Sequence, residues 1–428
     1  MLICHIILFK TLRMKSLDVA FVKQQFPVFQ TPTGQTLGFL DNAGGSFVAG
    51  AVIDRLTDFY RNYKVQPYGA NPLSSRAGEA MDLGRQTMAD LLNVSPDFIT
   101  LGASSTQCFN TLAQACVPLV KKNTEVIVTE QDHESNIGGW ERLCQQQGAT
   151  LKFWKVDPAT GELALEDLEK LLNPATVLVC VTHSSNIIGT INPLAEIGQR
   201  VRSVGARFVV DGVSCAPHSW PNLDELDVDA YVFSTYKTYG THQGVLVVKP
   251  DFLELLAPQC HFFNTPYLNK RLDSAGPDHA AIAALAGIGD YFQALYSHHF
   301  TDESLPLHQK ARLVSGLMHA HETALCDQLL RQLNTLPIRI LGRSTVENRE
   351  ANISLTAAKV PSKTLADGLV AYDIAAKNGH FYAYRLLQAM GVKDLTDGVL
   401  RISLSHYNTS EEMDRCAAGL RELLKNES

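Results

Sequence analysis

Between residues 86 and 250, short apolar runs alternate with longer amphipathic segments, and this alternation limits the possible folds more than any other feature. The apolar runs have the length of β-strands and are rich in valine, isoleucine and leucine: 97–103, 124–130, 176–183, 207–212, 229–235 and 244–249. The segments between them have helical spacing: 104–117, 136–147, 164–172 and 193–203. Strands that are apolar on both faces and alternate with helices are typical of a mostly parallel sheet between two helical layers. The sequence therefore predicts an α/β fold.

Beyond about residue 305 the pattern changes to that of a smaller α+β unit. A long helix is expected first, at 305–335. Strand-like pieces and two further helices follow: strands at 337–341, 351–356 and 398–405, and helices at 378–390 and 409–425. Thr409 and Glu412 have the spacing of a capping box, in which two side chains cap backbone N–H groups at a helix start. The last helix is therefore expected to begin at this pair.

A chain of 428 residues is expected to form more than one domain. We predict a large domain at 41–305, a small C-terminal domain at 306–428, and a segment at 15–40 that packs with the small domain. Residues 1–14 are expected to be a disordered extension. Their apolar run is far shorter than the ~20 residues that cross a bilayer, so no membrane partner is expected.

Charge and cysteine content narrow the possible partners. The net charge is −7 and lysine and arginine form no cluster, so no nucleic-acid partner is expected. The nine cysteines are scattered singly without a CxxC pair, which favours neither a disulfide framework nor a metal site. This cysteine usage is typical of a protein of the reducing cytoplasm.

Polar side chains follow five of the predicted strands at the edge where a parallel sheet binds ligands. They are Ser105 and Thr106, His133, Asn186, Asp211, and Ser234 with Tyr236 and Lys237. Each has an ordinary alternative when taken alone: Asp211 could form a turn, His133 could lie in the core, and Lys237 could cap a strand at the surface. Five such groups at one edge of one sheet are much more informative than any one of them.

The chemistry of these groups fits one cofactor. Hydroxyls of Ser105 and Thr106 at a helix N-terminus can bind a phosphate, together with the free backbone N–H groups. Asp211 could keep a pyridinium nitrogen protonated, and His133 could stack on a flat ring. A desolvated Lys237 would be a nucleophile able to form a Schiff base with an aldehyde. Phosphate, ring nitrogen and aldehyde together describe pyridoxal 5′-phosphate (PLP), an electron sink for carbanions.

These residues lie in motifs that resemble the class V aminotransferase family of fold-type I PLP-dependent enzymes, in particular its cysteine desulfurase-like branch. The resemblance runs from about residue 15 to the end, in family order: FLDNAGG (39–45), TEQDHESN (129–136), HSSNIIGTINP (183–193), DGVSCAPH (211–218), STYKTYG (234–240) and LRISLSHYNTSEEMDR (400–415). It implies a seven-stranded, mostly parallel sheet in the large domain. It also implies a homodimeric PLP-dependent transferase or lyase that acts on a small amino acid.

The resemblance also implies individual roles. Lys237 would hold the cofactor as an aldimine and then move protons at the substrate Cα. Asp211 would pair with the pyridinium nitrogen, and His133 would stack on the ring. Asn186 and Arg401 would bind the α-carboxylate, Arg401 through a bidentate fork, although an arginine on a strand can also form an ordinary surface salt bridge. The phosphate would be bound by hydroxyl-bearing residues: Ser105, Thr106 and Ser234.

The chain departs from its best-known relatives at the position of their catalytic cysteine. In relatives whose pattern resembles GHFYAYRLL (379–387), a loop cysteine attacks the substrate sulfur, and Tyr382 stands at its position here. A phenol cannot form a persulfide, and no other cysteine lies within several residues. Desulfuration through an enzyme persulfide is therefore not expected.

Four further positions bear on the cofactor or the substrate. Tyr236 replaces a histidine and could still reach the phosphate, whereas Ser214 replaces a glutamine that bonds the phenolic oxygen of the ring. Gly276 replaces a threonine that reaches the phosphate of the partner subunit. Arg76, in NPLSSRAG (71–78), is a candidate contact to substrate or phosphate, and an ordinary arginine at a helix start is an equal alternative.

The sequence leaves the reaction open. Without a thiol, the expected reactions are transamination, C–S lyase-type β-elimination or epimerisation. All three begin at the same carbon, so the cofactor residues do not separate them. Two alternatives remain: a cysteine desulfurase with a non-standard thiol, and a PLP-fold scaffold that has lost catalysis.

Overall fold

The computed structural model describes residues 16–425, so the expected extension at 1–14 lies outside the described residues. Its strands are β1 (Gly38–Phe39), β2 (Ile99–Gly102), β3 (Glu125–Thr129), β4 (Thr150–Trp154), β5 (Thr176–Thr182), β6 (Arg207–Asp211), β7 (Ala230–Ser234), β8 (Gly244–Val248), β9 (Ile338–Leu341), β10 (Asn352–Ala357), β11 (Ile374–Ala375), β12 (Lys377–Gly379) and β13 (Val399–Ser403).

The α-helices lie between these strands and beyond them. They are α1 (Val19–Gln24), α2 (Pro32–Thr36), α3 (Gly50–Asn62), α4 (Pro72–Leu92), α5 (Ser105–Ala115), α6 (Gly138–Gln147), α7 (Leu165–Leu171), α8 (Leu194–Ser203), α9 (Pro250–Leu255), α10 (His279–Ala284), α11 (Ala286–His299), α12 (Leu307–Leu333), α13 (Ser362–Leu369), α14 (Tyr384–Ala389) and α15 (Ser410–Lys425).

The central sheet has seven strands in the order β2-β8-β7-β6-β5-β3-β4. Its neighbours pair in parallel except β8, which is antiparallel to both β7 and β2. The predicted α/β fold with a mostly parallel seven-stranded sheet is therefore confirmed. The connection from Ser234 to Gly244 is too short for the crossover that a parallel pair needs, which accounts for the direction of β8. The strand pattern missed β4, an edge strand interrupted by Lys152.

Both faces of this sheet are covered, which explains why its strands read as continuous apolar runs. Successive residues of β5 point to opposite faces. Val179 and Val181 belong to one buried cluster, and Leu178 and Cys180 belong to another. Helices α5 and α6 cover the second face with buried side chains such as Trp140. Because helices cover both faces, ligand-binding groups can collect only at the edge of the sheet where the parallel strands have their carboxyl ends.

A second sheet, β12-β13-β10-β9, is antiparallel throughout and packs on α12, α13 and α15. Its core contains Leu329, Ile353 and Leu400, none of which belongs to the clusters of the large sheet. The expected capping box is present, since the Thr409 N–H lies 3.3 Å from Glu412 Oε2 and the Glu412 N–H lies 3.4 Å from Thr409 Oγ1.

The segment from residue 16 to residue 40 contacts both parts of the chain. Its strand β1 pairs in parallel with β11, and Lys23 forms an ion pair of 3.2 Å with Glu412. Phe26, by contrast, is fully buried in the cluster of the large sheet. The domain boundaries at 41–305 and 306–428 stay a prediction.

The prediction of one helix over 378–390 is wrong in its first half. The strand β12 continues to Gly379, and α14 begins only at Tyr384. Phe381 and Tyr382 between them have φ angles of 47° and 58°, in the left-handed region that bulky residues avoid. The apolar spacing of this segment is that of a helix, but tertiary contacts hold it as a loop.

Two kinds of feature are absent from residues 16–425. No helix there is long and apolar enough to cross a membrane. No group of three or more histidine, cysteine, aspartate or glutamate side chains there could hold a metal ion.

Gly244 fixes the distance between the first residue of β8 and the start of α5. A Cβ at Gly244 would overlap the backbone of Ser104 and would lie 2.5 Å from the Ser105 nitrogen. Only a residue without a side chain allows this approach, so Gly244 places the helix start directly against the sheet edge.

We predict opposite effects for two glycine substitutions. Gly244→Ala should lower the free energy of unfolding by roughly 1–3 kcal/mol, because overpacking forces backbone to move. Gly316→Ala in α12 should raise it by roughly 0.5–1 kcal/mol, because the helical site is open and alanine restricts the unfolded chain. Denaturant unfolding measures both changes, and an undiminished stability of Gly244→Ala would contradict the proposed contact.

Candidate active site

Hydroxyl groups collect where β7 ends and α5 begins. Ser234 Oγ, the last side chain of β7, donates a hydrogen bond of 2.9 Å to Ser105 Oγ, and both residues are buried. Ser104 caps the helix by accepting from the Gln107 N–H at 3.1 Å. The N–H groups of Ser105 and Thr106 in the first turn have no intrahelical acceptor. The expected anion site therefore has two buried hydroxyls, free N–H groups and the more exposed Thr106 beside them.

Tyr236 extends this hydroxyl cluster. Its ring stacks on His242, with ring centroids 4.4 Å apart and planes within 6° of parallel. Burial raises the pKa of Tyr236, although a hydrogen bond with Ser234 opposes the shift. The phenol therefore stays neutral and can donate a hydrogen bond.

Lys237 lies in the tight turn that follows β7, and only 7% of it is exposed. Burial lowers the pKa of Lys237 to about 8, and Arg401 lowers it further, while Asp211 and Asp41 oppose the shift. Its Nζ makes no hydrogen bond or ion pair with the described residues 16–425. Its Nζ lies 6.0 Å from the centroid of the Tyr236 ring. A buried amine without a hydrogen bond or ion pair, with a pKa of about 8, is chemically reactive.

Asp211 ends β6 and is 3% exposed. One of its oxygens accepts a hydrogen bond of 2.9 Å from the Val213 N–H. Burial raises the pKa of Asp211 to about 6, while that hydrogen bond and the charge of Lys237 lower it. The carboxyl group is thus mostly ionised at neutral pH and can stabilise a positive charge on a bound ring.

His133 presents a neutral imidazole to the same region. Its Nδ1 accepts from the Ser135 N–H at 3.1 Å, which fixes the ring at the start of a short helical turn. Burial lowers the pKa of His133 to about 3, with Lys237 and Arg401 adding to the shift. The Tyr382 ring lies 5.1 Å away, centroid to centroid. A flat, uncharged ring is suited to stacking on a heteroaromatic group.

Arg401 in β13 is buried, which excludes the alternative of a surface salt bridge. Its Nη2 lies 3.1 Å from Asp41 Oδ1, and its Nη1 lies 3.4 Å from the Asn186 carbonyl oxygen. The Phe381 ring covers the guanidinium at 3.7 Å, and Asn186 Nδ2 donates to the Phe381 carbonyl at 2.9 Å. Arg401 Nε has no partner among the described residues. Arg401 and Asn186 thus lie together.

The loop that carries Phe381 and Tyr382 is held in its strained conformation by hydrogen bonds. The Tyr382 carbonyl accepts from the Glu134 N–H at 2.8 Å, and the Tyr382 N–H donates to His380 Nδ1 at 3.1 Å. Arg385 pairs with Glu134 at 2.9 Å. Backbone strain of this kind persists where the surroundings over-determine it and is common at functional sites. The side chain of Tyr382 stays 65% exposed beside His133.

Three other residues named in the sequence analysis are not part of the contacts described so far. Within this chain, Arg76 binds exposed Asp58 at 3.4 Å and stacks on Tyr63 at 4.4 Å, so its role toward substrate or phosphate stays a prediction. Gly276 has a φ of +79° and open space around it. Ser214 lines a small cavity together with Lys237.

Sequence reasoning gave no role to Asp41 or Phe381, which contact the Arg401 guanidinium together with the Asn186 carbonyl. Asp41 lies inside the motif FLDNAGG, but its partner follows 360 residues later. Phe381 lies in the segment that was expected to be helical. Of the two, only Asp41 could have been suspected from the sequence, because it is a carboxylate inside a family motif.

The described side chains fit PLP. The site has a buried amine without a hydrogen bond or ion pair, a buried carboxylate, a neutral imidazole and two hydroxyls where β7 ends and α5 begins. Each matches one chemical feature of the cofactor: the aldehyde, the ring nitrogen, the ring face and the phosphate.

Comparison with known families agrees with this chemistry. The profile of the family "Aminotransferase class-V" matches residues 38–294 and 305–416. The chain belongs to the class V aminotransferase family. The enzyme is therefore a PLP-dependent transferase or lyase that acts on an amino acid, in the cysteine desulfurase-like part of this family.

Similar proteins extend over nearly the whole enzyme. An aminotransferase-like protein of Gibberella zeae is 32% identical over 96% of this chain and 99% of its own. A cysteine desulfurase of Escherichia coli O9:H4 is 30% identical over 94% and 97%. The solved apo cysteine desulfurase of Thermococcus onnurineus NA1 has a TM-score of 0.84 with 22% identity and covers 97% of this chain and 100% of that one, a likeness of fold.

The lowered pKa of Lys237 predicts a distinctive pH profile in the cofactor-free protein. Labelling of Lys237 by an amine-reactive reagent should be half-maximal near pH 8, because only the neutral amine reacts and its pKa is about 8. An ordinary lysine would give a midpoint near 10.4. Peptide mass spectrometry after labelling across a pH series measures the midpoint.

Arg401→Gln provides the internal check. It removes a neighbouring positive charge, so protonation of Lys237 becomes easier and the midpoint should rise. A midpoint already near 10.4 in the wild type would refute the burial argument.

Proposed function

We propose that the enzyme acts at Cα or Cβ of an amino acid by transamination, C–S lyase-type β-elimination or epimerisation, without a persulfide on the protein. The observation that carries the proposal is Lys237, a buried amine with a pKa of about 8 next to Asp211 and Arg401. An amine with a pKa near the working pH can both accept and donate a proton, as these reactions require at Cα.

PLP, when bound, supplies an electron sink for the charge that develops at Cα. Its phosphate would be held by hydroxyls and by the start of α5: Ser105, Thr106, Ser234 and Tyr236. Asp211 would face the ring nitrogen, His133 would lie on the ring face, and Ser214 would be near the phenolic oxygen. Lys237 would bind the cofactor covalently.

The substrate would be oriented by Arg401 and Asn186. Arg401 keeps a buried N–H, on Nε, without a partner in the described residues, which supports a role in binding an α-carboxylate. Asp41 and Phe381 hold the guanidinium in place while the substrate is absent. Once the substrate amine has taken its place on the cofactor, the free Lys237 amine would remove the proton from Cα and give a proton to a carbon or to the group leaving Cβ, as the reaction requires.

The thiols of residues 16–425 argue against desulfuration. Tyr382 occupies the loop position that faces His133. Among the cysteines of residues 16–425, all but Cys260 are buried. Burial raises the pKa of several of them, for example Cys326 to about 11, and the thiolate that would attack sulfur is then scarce.

The second candidate is a cysteine desulfurase that uses Cys260. Two observations favour this candidate. Several relatives at 30% identity are named cysteine desulfurase, and Cys260 is partly exposed. A thiol on an exposed surface segment could carry sulfur if that segment reaches an active site.

A panel of amino acids separates these reactions. We expect the holoenzyme to release a keto acid or pyruvate, or to racemise its substrate, and to form no persulfide from cysteine. Lys237→Ala should lower the rate by at least ~100-fold, the scale of a lost general base. Products are measured as pyruvate, alanine, sulfide and enantiomeric ratio.

Cys260→Ala is the matched control, because it leaves every proposed cofactor and substrate contact intact. Its turnover should equal that of the wild type. In the presence of a reducing thiol, which releases persulfide sulfur as sulfide, equimolar alanine and sulfide from cysteine, both abolished by Cys260→Ala, would establish the desulfurase instead.

We also propose a homodimer. Exposed large apolar side chains concentrate in two segments, 60–73 and 255–267: Tyr60, Val65, Tyr68, Leu73, Leu255, Phe262, Phe263 and Tyr267. Phe262 is 86% exposed, and its ring packs edgewise on Phe263, whose ring centroid lies 5.4 Å away. Apolar surface of this density is typical of an interface.

Substitution of Phe262 by aspartate should convert the dimer to a monomer in sedimentation velocity, because a charge would have to be buried in the interface. Val370→Asp is the control, since Val370 is 63% exposed but lies outside both segments. A wild type that sediments as a monomer would refute the homodimer.

A cytoplasmic location is a further proposal. The cysteines in the described part of the chain are all free, which matches a reducing compartment. Fractionation of cells that carry the tagged enzyme tests it, and recovery in a secreted fraction would contradict it.

A further inference from the structure

His242 lies in the connection between β7 and β8, shortly after Lys237, and sequence reasoning gave it no role. The residue is exposed, yet its ring has two well-defined neighbours. It stacks on the Tyr236 ring, with the centroids 4.4 Å apart and the planes within 6° of parallel. Its Nδ1 lies 3.1 Å from the Ala103 carbonyl oxygen. His242 thus connects the turn that carries Lys237 with the segment that leads into α5.

The contact with Ala103 fixes the position of the imidazole and of one proton. A carbonyl oxygen can only accept, so His242 Nδ1 carries the hydrogen of this bond. The Ala103 N–H in turn donates to Gln107 Oε1 at 2.6 Å, and Ser104, the next residue, caps α5. Ala103 is therefore bonded through both its N–H and its carbonyl. This anchors the imidazole beside the start of the helix.

The phenol of Tyr236 belongs to the hydroxyl cluster at the same helix start. It shares a hydrogen bond with Ser234, and Ser234 Oγ donates to Ser105 Oγ at 2.9 Å. Tyr236 is half-buried, whereas Ser234 and Ser105 are buried. Direct contacts therefore run from the His242 ring through Tyr236 and Ser234 to the first residue of α5.

The backbone of Tyr236 is fixed, but this alone does not orient its phenol. The Tyr236 carbonyl accepts from the Ser46 N–H at 3.0 Å and from Ser46 Oγ at 3.2 Å. A side chain on a fixed backbone can still rotate about its own bonds. The stack with His242 covers one face of the ring, and Gly45 lies close to its edge, since a Cβ there would be 3.3 Å from Tyr236 Cδ2. These contacts restrict the rotation.

We propose that His242 is a positioning residue for the cofactor phosphate, which acts by holding the Tyr236 phenol toward the start of α5. The stack restricts the phenol, and the bond to Ala103 anchors the imidazole to the segment that precedes the helix. His242 itself would touch neither the phosphate nor the substrate. The inference rests on the proposed function, in which Tyr236 is one of the groups that hold the phosphate.

The inference is tested by the affinity of the cofactor-free protein for PLP and for pyridoxal, which has the same ring and aldehyde but no phosphate. Absorbance titration measures both dissociation constants. His242→Ala should weaken PLP binding about two- to tenfold, the effect of one lost aromatic stack. Pyridoxal binding should stay within about twofold of the wild type. Equal weakening of both ligands would indicate a general structural role and would overturn the proposal.

His242→Phe separates the stack from the hydrogen bond. Phenylalanine keeps a flat ring on Tyr236 but cannot donate to the Ala103 carbonyl. Because the proposal assigns the orientation of the phenol to the stack, this variant should recover most of the PLP affinity that His242→Ala loses. Losses of the same size in both variants would contradict a role for the stack.

A double-mutant cycle tests whether His242 acts through the Tyr236 hydroxyl. Tyr236→Phe keeps the ring and removes the hydroxyl, so it should weaken PLP binding and spare pyridoxal binding. Adding His242→Ala to this variant should then cost little further affinity, because no hydroxyl remains to be positioned. Fully additive losses would mean that His242 acts independently of Tyr236, and an unchanged affinity in Tyr236→Phe would mean that the phenol does not hold the phosphate. Either result would overturn the proposal.

His298 offers a matched control. It is also exposed and stacks on an aromatic ring, that of Phe21, with the centroids 3.8 Å apart and the planes within 4° of parallel. Its Nε2 lies 3.0 Å from Asp18 Oδ2. These contacts are with the N-terminal segment and not with the proposed cofactor residues. His298→Ala should therefore bind PLP within about twofold of the wild type.

The outcomes separate this inference from the proposed function. PLP binding by His242→Ala equal to that of a wild type that binds PLP would overturn the role of His242 and leave the proposed function intact. A wild type that binds no PLP would overturn the proposed function and the inference with it.

Discussion

The burial of Lys237 at the end of β7 is the constraint on which the rest of the structure depends. Removing an ammonium group from water is costly, and here the cost appears as a pKa of about 8. The same burial keeps Asp211 within reach and leaves the amine without a competing partner. A lysine on a helix surface would keep its ammonium group in water and would not bear this cost. Its amine would then stay protonated and unreactive near neutral pH.

The fold buries Lys237 because one strand of the mostly parallel sheet, β8, runs antiparallel to its neighbours. Because β8 returns antiparallel beside β7, the turn that carries Lys237 is held between two strands and the start of α5. Gly244 at the beginning of β8 lets the helix start approach the sheet. The hydroxyls of Ser105 and Ser234 consequently lie 2.9 Å apart, just before the turn that carries the reactive amine. Hydroxyls and amine are thus placed together by one glycine and one short connection.

The sequence predicted the parts of the structure that depend on local pattern. Continuous apolar runs reveal strands buried on both faces, and residues after such strands share one sheet edge, so the grouping of Lys237 with Asp211 followed from strand order alone. The missed features depend on tertiary contacts. The loop at Phe381 has helical spacing but is held by Asn186 and Glu134, and no local pattern reveals that Asp41 meets Arg401 across 360 residues.

The central claim is that Lys237 is the residue that binds PLP, and reduction of the holoenzyme with borohydride tests it most directly. Reduction makes the bond between lysine and cofactor permanent, and digestion followed by mass spectrometry identifies the modified peptide. We expect the cofactor mass on the peptide that contains Lys237 and on no other, and its loss in Lys237→Arg, which keeps the positive charge. Cofactor on a different lysine, or no modified peptide from a protein incubated with PLP, would contradict the account.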